Sequence, residues 1–178
     1  MPFRITTVAI LALVLVTSAQ ADARKEVTRK TCDMASRAEV IIDRPIREVW
    51  SKALDIDAWL RDNFKTVKGK AGEEGEVRQA TSEGAMSSYL VTTLRIKPLE
   101  QLVLKVSPEK GSDFIGFAVF SFADLGGQTR FIHDFYFEAA EPEVRKEEAR
   151  PSCKEQDENT QRGVEKNAQD LKTFVERK

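Results

Sequence analysis

The spacing of hydrophobic and polar residues changes along this 178-residue chain, and each change of period predicts an element. Residues 37–43 alternate, with Ala38, Val40 and Ile42 against Glu39, Ile41 and Asp43, which predicts a strand with one buried face. Pro45 suits the first position of a helix, and Ile46, Val49, Trp50 and Ala53 follow at helical spacing. Asp57 is placed as the N-cap of a second short helix over residues 58–64. The preceding residues 22–36 are polar and read as irregular except near Cys32. Short strands are then predicted over residues 65–70, 76–81, 86–96 and 101–106, with Gly and Pro between them. The second of these is polar and reads as an edge strand.

The most apolar stretch, residues 113–138, is a hairpin around Gly126-Gly127, a dipeptide that supplies the positive φ of a tight turn. That turn sets Phe122 opposite Phe131, Phe120 opposite His133, Ala118 opposite Phe135 and Gly116 opposite Phe137. These eight residues share one face, on which His133 is the polar exception. A loop longer or shorter by one residue would exchange the faces. The other face, from Ile115 to Tyr136, is mixed. Residues 154–177 form the last element, a helix on which Val164, Ala168, Leu171 and Val175 recur at helical steps. Its first half shows Thr160 and Gln161 where a fully buried helix would show Leu or Ile. Part of this helix therefore borders water or a polar cavity.

The order of one strand, two short helices, six strands and one long helix predicts an α+β fold with an antiparallel seven-stranded sheet. One apolar sheet face needs a large partner, and the last helix is the available one. A charged tract at residues 139–158 precedes it, with a short solvated helix expected over residues 142–149.

Composition adds a compartment. Residues 1–21 carry a basic start, an apolar run and small residues at Ala19 and Ala21, the pattern of a secretory signal peptide; an uncleaved anchor is the alternative. Residues 22–178 then form one domain, with no stable membrane span expected in the mature form and a periplasmic or secreted location. Cys32 and Cys153 are the chain's two cysteines, and in an oxidising compartment they read as one disulfide rather than two free thiols. With a single histidine beside them, a closed Cys/His zinc site is excluded, and no other metal site or cofactor is expected. The net charge is −1 with the signs interspersed, which disfavours nucleic acid as a partner.

The stretch AEVIIDRPIREVWSKALDIDAWL at residues 38–60, TTLRIKPLEQLVLKV at residues 92–106, and the long final helix together resemble the SRPBCC superfamily. This is the helix-grip fold of START lipid-transfer domains, birch-pollen-allergen-like proteins and polyketide cyclases. The resemblance implies a curved sheet wrapped around the last helix, with a deep cavity for an apolar small molecule or lipid. Trp50 and Trp59 read most simply as core packing, and the resemblance adds the cavity mouth as a place for Trp59, where the short helices cap one end. The leader, the cysteine pair and the charged insertion depart from that pattern.

The residues expected to contact a ligand are His133, Phe120, Phe131, Phe135, Thr92, Trp59, Gln161, Val164 and Ala168. Thr92 enters because Leu90, Thr92, Leu94 and Ile96 share one strand face. If the opposite face is inside, Tyr89 and Arg95 could instead hold a carboxylate. His133 is the one candidate for acid/base chemistry, against the plainer reading of a satisfied core histidine. Asp134 points away from it, and no nucleophile motif is present. Three functions follow: a carrier of an apolar molecule, a cyclase or hydrolase using His133, and an envelope interaction module using residues 140–158.

Overall fold

A computed structural model describes residues 31–60, 62–82, 88–109, 114–140 and 152–177. The leader and the short helix expected over residues 142–149 lie outside them. The elements run β1 (Thr31–Ile42), α1 (Ile46–Ala53), α2 (Ile56–Trp59), β2 (Asp62–Lys68), β3 (Val77–Ser82), β4 (Ser88–Lys97), β5 (Gln101–Pro108), β6 (Phe114–Asp124), β7 (Thr129–Ala140) and α3 (Cys153–Glu176). All strands join one curved antiparallel sheet in the order β1-β7-β6-β5-β4-β3-β2. The two short helices carry the chain from one sheet edge to the other. Helix α3 lies on the concave side, mainly against β1 and β7.

The central hairpin has the predicted register, with Phe122 opposite Phe131 and Phe120 opposite His133. Gly126 and Gly127 take φ of 76° and 104°, and Leu125 N–H closes the turn on the Gln128 carbonyl at 2.9 Å. The inner face carries the core and meets Val164, Ala168, Leu171 and Val175 of α3, all buried. The outer face leaves Ile115, Phe117 and Tyr136 exposed.

Four expectations are corrected. β1 begins at Thr31, well before residue 37. Its extra residues Cys32, Met34 and Ser36 are buried and continue the alternation of Ala38 and Ile42, a pattern hidden in the sequence by small and polar side chains. α2 starts at Ile56 with Asp55, not Asp57, at its N-cap, and it ends at Trp59. Asp62, Asn63 and Phe64 belong to β2, where pairing with Ser82, Thr81 and Ala80 overrides local helical spacing. β3 is an interior strand between β2 and β4, and the edges are β1 and β2. Finally, β4 breaks phase at a bulge between Thr93 and Arg95.

Glu76, just before β3, is fully buried yet structural. Its carboxylate accepts from Thr66 Oγ1 at 2.6 Å and from Gly72 N–H at 2.8 Å, and pairs with Arg78 Nε at 2.8 Å. Burial pushes its pKa up, but these three partners together win and hold it below the usual range.

Candidate functional site

The sheet and α3 part near the middle of the molecule and leave a cavity of about 310 Å³. Its walls come from every strand except β1 and β3, from α2 and the turn after it, and from one face of α3. Most of the wall is apolar: Phe64, Val91, Leu104, Val106, Phe120 and Phe135 contribute the larger surfaces.

Two glycines bear on its shape. On α3, Thr160, Gly163, Val164 and Asn167 line the cavity at steps of three and four residues, a separate face from the core stripe. Gly163 is exposed and a Cβ added to it would meet nothing within 4 Å, so the cavity is open at that turn of the helix. Glycine in a helix interior costs about 1 kcal/mol relative to alanine. At Gly116 the reverse holds: a Cβ would lie 2.8 Å from the Phe135 ring, so the missing side chain lets that ring settle against β6.

His133 projects into this space among Phe120 and Phe135, with ring centroids 4.7 and 6.4 Å away. Its side chain is 3% exposed, and neither ring nitrogen has a hydrogen-bond partner among the described residues. The Val164 backbone approaches the ring and favours the protonated form slightly, without hydrogen-bond geometry. Burial dominates and lowers the imidazole to about 4. Of the two partners expected for a structural histidine, a neighbour or a buried water, the neighbour is absent among the described residues, and the ring is neutral.

This predicts a pH dependence with a clear sign. Between the ordinary value of 6.5 and about 4 the unfolded chain takes up a proton at His133 that the folded chain does not. The contribution is fully present above 6.5 and is lost as pH falls toward 4, amounting to roughly 2–3 kcal/mol. Because the chain has a single histidine, His133→Leu should flatten the denaturant-midpoint profile across that window.

A second polar group sits on the wall opposite. Asp62 of β2 accepts a hydrogen bond from the Tyr89 hydroxyl of β4, and both line the cavity. The apolar pattern of β4 favours the other face, and the structure corrects it. Tyr89, Val91 and Thr93 face inward, opposite Pro108, Val106 and Leu104, while Thr92 sits opposite Lys105 and points outward. The bulge exposes Leu94 and returns Ile96 to the core, so neither simple alternation holds along the whole strand. Arg95 is exposed and holds nothing inside.

The remaining expected contacts divide. Phe120, Phe135, His133 and Val164 line the cavity. Phe131 and Ala168 are buried in the core without reaching it. Trp59 packs edge-on behind Phe120 with centroids 5.6 Å apart and donates its Nε1–H to the Ala53 carbonyl at 3.1 Å. It buttresses the wall as core packing without lining the cavity, which Ile56 and Leu60 do from the same turn. Gln161 faces β1, accepting from Arg37 N–H at 3.1 Å and donating to the Arg37 carbonyl at 2.9 Å. Asp62, Gly163 and Asn167 are absent from the expected set, although a glycine in mid-helix is a visible signal.

Cys32 and Cys153 form the expected disulfide. Among the described residues, no group of three or more His, Cys, Asp or Glu side chains is placed to hold a metal, and no helix is long and apolar enough to cross a membrane.

No protein-family profile matches the chain, and no curated protein matches it by sequence. Solved structures do. The Zhui aromatase/cyclase from Streptomyces sp. R1128 superposes with a TM-score of 0.61 at 12% identity, covering 80% of this chain and 91% of its own. The fold is the helix-grip fold. Two other helix-grip structures agree. Ara h 8.0201 gives a TM-score of 0.58 at 12% identity over 80% of this chain and 97% of that one. Protein TTHA0849 from Thermus thermophilus gives 0.56 at 20% identity over 79% and 96%. At these identities the likeness concerns the helix-grip fold alone.

Proposed function

We propose that the mature chain, residues 22–178, is an exported carrier that holds one small apolar molecule in the cavity between the sheet and α3. The observation that supports this most is a greasy wall with few polar points: about 310 Å³ bounded largely by aliphatic and aromatic side chains, with Asp62, Tyr89, Thr160 and Asn167 among them. Such a pocket suits a ligand that is mostly hydrocarbon with a few hydrogen-bonding atoms. At about 30 Å³ for each water in the liquid, its volume equals roughly ten waters, and a ligand with a ten-carbon chain is a fitting probe. The leader pattern and the Cys32–Cys153 disulfide support export to the periplasm or beyond.

Titration calorimetry with decanol tests the reading. We expect saturable one-to-one binding with a negative heat-capacity change, the mark of buried apolar surface; heats of simple dilution would reject it.

Enzyme chemistry is the second reading, since Zhui is an aromatase/cyclase of the same fold. A general base at His133 would need a partner to orient the ring and a pKa nearer neutrality. The ring has neither, which favours binding over turnover.

A further inference from the structure

We propose that the cavity selects its ligand by the charge of the polar end, accepting an apolar alcohol or amine and rejecting the corresponding carboxylate. The inference rests on the carrier reading and adds the ligand's chemical class. Its basis is the inventory of polar wall groups. Among the described residues lining the cavity there is one carboxylate, Asp62, and no lysine or arginine. The nearest arginine along β3, Arg78, is engaged by Glu76 and Asp57 and does not line the space.

The other wall groups lean the same way. Asp62 receives the Tyr89 hydroxyl hydrogen and keeps further acceptor positions. Thr160 donates to the Gln156 carbonyl at 2.7 Å, so toward the cavity its oxygen can only accept. Both ring nitrogens of His133 are buried away from the open space, and Asn167 offers an amide. A ligand hydroxyl can bond Asp62, Thr160 or the Asn167 amide, and an ammonium can pair with Asp62. A ligand carboxylate finds no cation among the described wall residues, meets the like charge of Asp62, and loses its hydration on entry.

The experiment is a calorimetric comparison of decanol, decylamine and decanoate, equal in chain and different in head group, near neutral pH and at low salt. Decanol and decylamine should bind, and decanoate should bind about tenfold more weakly or not at all, the factor expected for losing one charge-assisted contact. Asp62→Asn should narrow the gap between decylamine and decanoate by about tenfold. Should that variant not fold, Tyr89→Phe serves instead: it leaves the carboxylate in place and unpaired from the phenol, so the discrimination persists or grows. Equal affinity for all three, or preference for decanoate, overturns the head-group inference and leaves the carrier intact. Binding of none of them overturns the carrier reading and this inference with it.

Discussion

Removing the disulfide, as Cys32→Ala with Cys153→Ala, lowers unfolding free energy by about 4–5 kcal/mol in the chain-entropy picture. The bond closes a loop spanning 121 positions, and the Cα atoms lie 5.5 Å apart. The loss should also be uneven along α3. From Cys153 to Gly163 the helix buries no side chain fully, and it is held by the disulfide, by the Ser152–Glu155 capping box and by the Gln161–Arg37 pair. From Val164 onward, Leu171 and Val175 are buried, Lys172 Nζ donates to the Ile41 carbonyl at 2.6 Å, and Lys52 Nζ donates to the Val175 carbonyl at 3.0 Å. Hydrogen exchange on the disulfide-free protein should therefore accelerate across residues 153–163 and change little across residues 164–176. Uniform acceleration would mean that the bond acts through global stability alone. Since the loosened half forms part of the cavity wall, ligand release should accelerate with it.

Gly163→Leu should separate stability from binding. A leucine is a better helix residue than glycine by about 0.5–1 kcal/mol, and open space surrounds its first carbon. Helical side chains lean toward the preceding turn, here toward Thr160, so the new isobutyl group covers the cavity. The variant should melt at or above the wild-type temperature while decanol binds roughly tenfold or more weakly. Unchanged affinity would place the binding site elsewhere. Another concavity among the described residues is the open outer groove of about 490 Å³ beside Ile115, Phe117 and Tyr136.

Elements with strong periodicity could be read directly from the residues. The Gly126-Gly127 turn fixed the hairpin register, and with it the inward direction of Phe120 and His133. The stripe from Val164 to Val175 placed the last helix. What escaped lay where tertiary pairing outweighs local pattern. Asp62 to Phe64 continue a helical spacing but pair with β3, so a cavity wall reads as a helix end. The bulge at Thr93 and Arg95 changes which side of β4 is inside, and no residue there announces it. Gln161 showed correctly that the first half of α3 is not dry core, yet its amide pins β1 while its neighbours Thr160 and Gly163 border the space. The polarity of a helix face tells that something other than packing occurs; it does not tell which turn of the helix meets the cavity.

The central claim is that a hollow between the curved sheet and its terminal helix holds an apolar guest. Native mass spectrometry of the mature protein, as purified and after addition of excess decanol, tests it most directly. The account predicts a one-to-one noncovalent adduct that Gly163→Leu diminishes, on a polypeptide lighter by two hydrogens for its disulfide. The bare polypeptide mass under both conditions would contradict it.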